Sequence, residues 1–478
     1  MSTAAIERRA VREATTLAPA LVLTGAIGLL LARTLPDIAG KPWQEDEAVA
    51  GLISARPLGD VLHTVLLDRG GAPLHFLLAH AAFALDGSPR TLRWLSLAFA
   101  LATIPLCYDL ARRLAGQAAG LTAAALAATS QLLTVYGTFA RMYSLFAFAS
   151  ALSLDLFVRA LARPTRGTLA AATAAGLALL VIHPFGSFLF AAELGVATWR
   201  WRLRALPAAA LAVPLVLPYL RLPGRYDPEV GMSVPEATLR ALGGSAGGYG
   251  IALALLAVFA AVGAWTLPRQ FTVLSLLAIV MPPATLAVLA NDEVSPRHLI
   301  FLLPVWTTLV AAGVAKVPFR ATVAAAAVAL AAFAPAAIAD PRTTPSPVAA
   351  PAAWIRAHVE RGDLLYPYSP VFLAALPDAA KARALPREPV ALARVLRRAG
   401  DVQRVIVAIP LREPLTLKTP GAHVFHSWLI LDHPGSFATV PAYLARLVPL
   451  LRGDARAAAL QLYATSTEGT SPQRSSRR

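Results

Sequence analysis

The chain has 478 residues, of which 57% are hydrophobic and 15% charged, and its mean hydropathy is +0.59. A soluble domain carries about 25% charged residues, so there is too little charge here to clothe a water-exposed surface of this size, and lipid must solvate much of the chain. The net charge of +16 would suit a nucleic-acid binder, but the arginines fall in short clusters between long apolar runs, the pattern that orients membrane helices, and nucleic acid is excluded as a partner.

The single Cys107 lies in an apolar run, which excludes a disulfide framework and a cysteine metal site. Basic residues are nearly all Arg and Ala is abundant, the composition of a GC-rich and hence bacterial genome. Arg8, Arg9 and Arg12 precede the first apolar run, residues 15–32, which reads as a retained first helix with a cytoplasmic N-terminus rather than a cleaved signal. Further apolar runs follow at 92–111, 117–136, 143–161, 168–181, 185–198, 206–219, 251–265, 271–290, 299–315 and 321–339.

Residues 72–85 decide the topology. This apolar stretch is shorter than the roughly 20 residues needed to cross about 30 Å of hydrocarbon. If it does not cross, the cytoplasmic connections carry Arg112 and Arg113, then Arg159, Arg163 and Arg166, then Arg200, Arg202 and Arg204, then Arg269, then Lys316 and Arg320. The opposite connections carry Glu45, Asp46 and Glu47, then Asp227, Glu229 and Glu236, then Asp292 and Glu293. A crossing at 72–85 would invert every later loop against the positive-inside rule. The expectation is therefore about eleven spans, with residues beyond about 340 outside the cytoplasm. Residues 36–93 form one long external loop, with an amphipathic helix around 49–67 and the apolar 72–85 lying on or dipping into the outer leaflet.

Residues 340–351 are rich in Pro, Thr and Ser, a linker. Beyond it, 352–361, 389–399 and 440–463 read as helices, and 363–368, 402–409 and 424–431 as strands. The alternation predicts a small α/β domain over 352–464, followed by a disordered tail at 465–478.

Chemistry-bearing residues gather on the external side. Glu45, Asp46 and Glu47 follow the first span. By charge pattern alone they are a solvated acidic turn. At a membrane face, mutual repulsion and low dielectric add a second reading, in which a cation compensates them or one takes up a proton. Arg141 and Tyr143 lie where the third span emerges; an Arg there either snorkels or binds phosphate through its planar fork of donors. His183 ends the fifth span, and Arg297 and His298 follow the ninth. A lone His such as His63, His80 or His183 is as readily a structural residue, and no two-His spacing marks a metal site.

Several segments, in this order and spacing, carry a family resemblance. They are Asp46-Glu47, then Asp68-Arg69-Gly70-Gly71-Ala72-Pro73-Leu74-His75-Phe76-Leu77-Leu78, and Gly87-Ser88-Pro89-Arg90-Thr91-Leu92-Arg93-Trp94-Leu95-Ser96. Further on come Ala140-Arg141-Met142-Tyr143-Ser144-Leu145, Ile182-His183-Pro184-Phe185-Gly186 and Ser295-Pro296-Arg297-His298-Leu299. Over residues 40–305 the chain resembles the membrane-embedded GT-C glycosyltransferases that use polyprenyl-phosphate sugars, in the branch of protein O-mannosyltransferases and lipid A aminoarabinose transferases. The resemblance implies a GT-C-like α-helical polytopic membrane module over residues 1–339, with the C-terminal α/β domain extracytoplasmic, in a bacterial plasma membrane. It implies inverting transfer of a sugar from a polyprenyl-phosphate donor to a glycan, lipid or protein acceptor of the cell envelope.

By that resemblance Asp46 is the general base, with Glu47 supporting it or helping to bind a cation. Arg141 and Arg297 neutralise the departing phosphate, and Tyr143, His183, His298 and His75 belong to the substrate site. A divalent cation is the one cofactor left open. Thr138-Phe139 stand where many relatives have a further acidic residue, and His183-Pro184 replaces a His-aromatic pair. The alternative is a transporter or flippase for a lipid-linked or anionic solute, which would also need charged groups facing a cavity. No repeat between the halves supports it.

Overall fold

The computed structural model describes residues 3–68, 72–220, 232–288, 293–340, 347–385, 404–411 and 420–433, with isolated positions between 392 and 463. The expected helices at 389–399 and 440–463 lie almost wholly outside the described residues, and the tail from 465 entirely so. In chain order the helices begin with α1 (Thr3–Gly40), α2 (Glu45–Ser54), α3 (Leu58–Asp68), α4 (Pro73–Asp86), α5 (Pro89–Ala115), α6 (Gln117–Thr129), α7 (Gln131–Tyr136), α8 (Tyr143–Ala162), α9 (Arg166–Leu180), α10 (Gly186–Trp201) and α11 (Leu206–Leu220). Strand β1 (Met232–Ser233) leads into α12 (Val234–Ser245), α13 (Ile251–Thr266) and α14 (Arg269–Val288), and β2 (Glu293–Val294) precedes α15 (Leu302–Val314) and α16 (Arg320–Phe333). The last described stretch holds α17 (Ala349–His358), β3 (Leu364–Tyr366), α18 (Pro370–Ala374), β4 (Arg383–Ala384), β5 (Val405–Pro410), β6 (Ala422–Phe425) and β7 (Trp428–His433). Two compact units result, Met1–Ala39 with Arg93–Asp340 and Gly40–Leu92 with Pro341–Arg478.

The first unit is a helix bundle. Among the described residues, four of its helices are long and apolar enough to cross a bilayer, within Pro19–Gly40, Pro89–Ala115, Tyr143–Ala162 and Arg269–Val288. Arg166–Leu180, Ile251–Thr266, Leu302–Val314 and Arg320–Phe333 are shorter apolar helices. Local chemistry accounts for the breaks. The expected 117–136 run divides at Ser130, whose Oγ accepts from Leu133 N at 3.3 Å and donates to Gly244 O at 2.9 Å. The hydroxyl thus caps α7 and ties it to α12. The run at 321–339 stops as helix at Phe333, because Ala334 precedes Pro335 and takes an extended conformation.

Small residues set a close helix contact. A Cβ on Gly263 of α13 would collide with the Leu309 carbonyl of α15, and one on Gly313 with the Phe259 carbonyl. Two backbones therefore touch, as membrane helices do when packing rather than hydrophobic collapse holds them. At the C-terminal ends of α5 and α8, Arg113 pairs with Asp155 at 3.0 Å and Arg159 with Asp109 at 2.9 Å, while Arg112 caps the knot on Asp109. Deeper in, buried Glu193 of α10 meets Ser153 Oγ of α8 at 2.8 Å.

Among its described residues the second unit is built on a five-stranded mixed sheet of order β4-β3-β5-β7-β6. Strand β3 is parallel to β4 and β5, with Leu365 opposite Ile406, and β7 is antiparallel to β5 and β6. Expected strand 363–368 closes at Tyr366, before Pro367, which has no donor for a ladder. Expected strand 424–431 is instead the β6–β7 hairpin: Phe425 pairs with Trp428 across a two-residue loop, His426-Ser427. That dipeptide lacks the Asn or Gly that usually announces such a turn. Arg404 straps the sheet, gripping Asp432 at 2.7 and 3.0 Å while donating to His358 O at 2.8 Å.

Residues 49–67 form two helices, not one, because Pro57 interrupts the ladder between α2 and α3. Their apolar faces and Phe76 of α4 share a single core with Ile355, Leu365, Phe372, Leu373, Ile406 and Ile430. Leu58, Leu66 and Leu85 stay exposed.

Candidate functional site

Three turns of the first unit converge. The first, between α7 and α8, carries Arg141 and Tyr143. The Phe139 carbonyl is its pivot, accepting from Arg141 N at 2.6 Å and from Ser96 Oγ of α5 at 2.8 Å. The second turn ends α9. His183 N still reaches Leu179 O at 3.1 Å, but Pro184 cannot continue the ladder, and α10 restarts at Gly186, where a Cβ would strike the Leu179 carbonyl. The third is a 3-10 turn, Pro296–Leu299, that presents Arg297 and His298 ahead of α15.

Side chains from the three turns meet. His183 lies 5.4 Å from His298 and 6.2 Å from Tyr143, ring centre to ring centre, and Tyr143 lies 6.3 Å from His298. The Arg297 guanidinium sits 5.5 Å above the Tyr143 ring. Phe146 stacks on His183 at 5.1 Å, and Phe185 covers His298 at 5.3 Å. Arg141, Tyr143, His183 and His298 are all buried.

Electrostatics give the group one sign. Burial, and then Arg141 and Arg297, hold His183 down to about 3. Burial, His183 and both arginines hold His298 well below its ordinary value. Both imidazoles are neutral at ordinary pH, so the positive charge belongs to the guanidiniums. His183 Nδ1 accepts from Phe185 N at 3.1 Å, which leaves the proton on Nε2 as a donor. Two guanidiniums, a neutral imidazole donor and a phenol are the components of an anion site.

Five of the eight expected site residues, Arg141, Tyr143, His183, Arg297 and His298, are thus brought together. Phe146, Phe185 and Ser96 were not singled out by sequence reasoning. Ser96 and Phe185 stand inside the resembling segments, whereas Phe146 carries no distinguishing signal.

Asp46, Glu47 and His75 belong to the second unit. Asp46 lies half-buried in the first turn of α2. Glu47 is buried and its Oε2 accepts from Gln44 N at 3.1 Å, so this carboxylate closes the N-terminus of its own helix. His75 is buried in α4, its ring edge-on to Phe76 at 5.5 Å.

Residues 70–221 match the family model described as dolichyl-phosphate-mannose-protein mannosyltransferase. The structure is similar to that of ArnT from Cupriavidus metallidurans in the apo state, with a TM-score of 0.55 at 11% identity, over 88% of this chain and 98% of that one. The chain has the GT-C glycosyltransferase fold. The same ArnT bound to undecaprenyl phosphate aligns at 15% identity over 95% of this chain and 76% of that one, with a TM-score of 0.48. The Archaeoglobus fulgidus oligosaccharyltransferase, tethered with an acceptor peptide containing the NVT sequon, aligns at 11% identity over 81% and 68%, with a TM-score of 0.45. No curated protein matches the chain in sequence. Within this GT-C fold the described residues gather no group of three or more His, Cys, Asp or Glu side chains that could hold a metal ion.

Proposed function

We propose that the protein transfers a sugar from a polyprenyl-phosphate donor to a cell-envelope acceptor at the extracytoplasmic face of a bacterial plasma membrane, with inversion at the anomeric carbon. One observation carries the reading: Arg141 and Arg297 converge with two neutral histidines and Tyr143, all from turns of a GT-C bundle. Neutral histidines add donors without adding charge, which matches an anion whose charge the two arginines already balance. The family model over residues 70–221, named for a lipid-phosphate-sugar enzyme, supports a donor of that class.

In this reading the bundle crosses the membrane about eleven times from a cytoplasmic N-terminus, residues 1–339 are the membrane module and 352–464 an extracytoplasmic domain. Asp46 takes the proton of an acceptor hydroxyl. The hydroxyl oxygen forms a bond to the anomeric carbon while the bond from that carbon to the phosphate oxygen breaks. The lipid phosphate leaves with the electron pair, and its charge grows from one towards two. Fixed cations placed where that charge develops stabilise the transition state more than the ground state. Arg141 and Arg297 serve there, with Tyr143, His183 and His298 completing the donor set; Glu47 supports Asp46 by holding the first turn of α2, and His75 is a further substrate-binding residue.

The test is transfer by the purified protein in lipid, given polyprenyl-phosphate sugars and cell-envelope acceptors. Asp46→Asn is expected to lower the rate by about 100-fold or more while leaving donor binding intact. Wild-type turnover in that variant would remove Asp46 as the base. Passage of the donor across the bilayer with no covalent product would replace the enzyme by a transporter.

A further inference from the structure

We propose that the C-terminal sheet domain is the seat of the helix carrying Asp46, and that Leu373 against Gly51 is the contact through which it positions that carboxylate. The inference rests on the reading of Asp46 as the base.

Little of α2 is exposed. Every residue from Glu47 to Ser54 is buried, and only the first turn, with Glu45 and Asp46, is partly open. A ten-residue helix buried all round has its position dictated by its neighbours. On one side stands α4, whose His80 Nδ1 lies 2.8 Å from Ser54 O. On another stands α18, from a part of the chain more than 300 residues later.

The contact with α18 is specific. Leu373 Cδ1 occupies the place where a Cβ on Gly51 would stand, and Leu92 Cδ1 would lie 3.5 Å from that Cβ. Leu373 is itself fully buried in the shared core, so its methyl cannot swing away without displacing neighbours. The short helix beneath it is braced in turn. Ser369 Oγ accepts from Val371 N at 3.2 Å to cap it, and Arg356 of α17 donates to its Ala374 carbonyl.

A second link fixes the far end of α2. Arg56, just past the helix, donates to the Ala384 carbonyl of β4 and to Thr64 Oγ1 at 3.2 Å. The helix is thus held by the domain at its middle and at its C-terminal end, and its first turn carries Asp46. Five residues separate Asp46 from Gly51, about 7–8 Å along the axis. A methyl's worth of displacement at Gly51 therefore passes to the carboxylate with little loss, and misplacement by about 1 Å can lower a rate by about 100-fold.

The experiment is a two-by-two set on the full-length protein in lipid: wild type, Gly51→Ala, Leu373→Ala and the double variant. Each is assayed for transfer and for thermal unfolding. Gly51→Ala is expected to lower kcat about tenfold with KM for the lipid donor within about twofold, because the anion site is untouched. Leu373→Ala alone lowers kcat less. In the double variant the new methyl enters the vacated space, and kcat recovers to the level of Leu373→Ala alone.

A general loss of stability would not produce that recovery. Wild-type kcat in Gly51→Ala, or a double variant no faster than Gly51→Ala, overturns the proposal. If Gly51→Ala does not fold, Leu373→Ala decides: unchanged kcat in a protein that melts lower counts against positioning. Asp46→Asn separates the two ideas. Full activity there sinks the base and this inference with it, whereas an inactive Asp46→Asn beside a fully active Gly51→Ala sinks the inference alone.

Discussion

At the scale of single residues, the buried histidine pair makes the anion site sensitive to acid through stability rather than through charge. The folded chain holds His183 to about 3 and His298 well below its ordinary value. An unfolded chain protonates both near 6.5. Between those limits the unfolded state binds more protons, so stability rises with pH, and it falls as pH drops from about 6.5 towards 3. Above 6.5 neither histidine contributes to the slope. Thermal unfolding at pH 7 and pH 4.5, compared between wild type and His183→Gln, checks this: the variant should lose less on acidification. An equal loss in both would mean that His183 is not the neutral, buried group described.

The same residues show what sequence reasoning can reach. Arg141, Tyr143, His183, Arg297 and His298 stood out because ionisable groups beside apolar runs are expensive and need a reason. The acidic trio stood out as a unit, but its members differ in ways visible only in three dimensions. Glu47 turns back onto the Gln44 amide, whereas Asp46 keeps a partly open face. Ser96 stands inside a resembling segment, but a hydroxyl in an apolar run gave no chemical reason to choose it, although it holds the carbonyl on which the Arg141 turn pivots.

Among elements, α13 and α15 pack backbone against backbone. Gly263 and Gly313 let the two backbones approach until no side chain fits between them. Gly263→Val would force them apart, and overpacking of this kind costs about 1–3 kcal/mol or more. The expected readout is a lower melting temperature in detergent with an unaltered melting slope; a variant as stable as wild type would mean that the helices are not in contact there. Glycines at these two positions do not show this in one dimension, since nothing marks which turns of two distant helices will cross. Apolar runs made most of the bundle helices legible, because composition alone selects lipid as the solvent. The breaks inside those runs were not, since Ser130 acts through a partner in α12, a helix that periodicity did not reveal.

For the whole molecule, the segment between α1 and α5 belongs with the end of the chain. The sequence supports a separate small α/β domain, and local patterns located β3, β5 and α17. They could not show that α2, α3 and Phe76 complete its core, because such pairing is a matter of complementary shape between segments hundreds of residues apart. One core implies one cooperative unit. In intact protein under mild denaturant, hydrogen exchange at α2 should therefore keep step with β3, β5 and β7. Amides of α2 that stay protected after those strands have exchanged would contradict a shared core.

That arrangement bears on how the protein is made. Arg56 and the carbonyl it grips are 328 residues apart. At about 5–20 residues per second, a ribosome needs roughly 15 seconds to a minute to supply the second partner after the first. Throughout that interval the bundle helices can enter the bilayer one after another while the Asp46 segment waits without its mate. The enzyme proposed above would consequently be silent until the sheet domain has been synthesised, and a nascent chain would be barred from premature chemistry on carrier lipids by the order of its own synthesis.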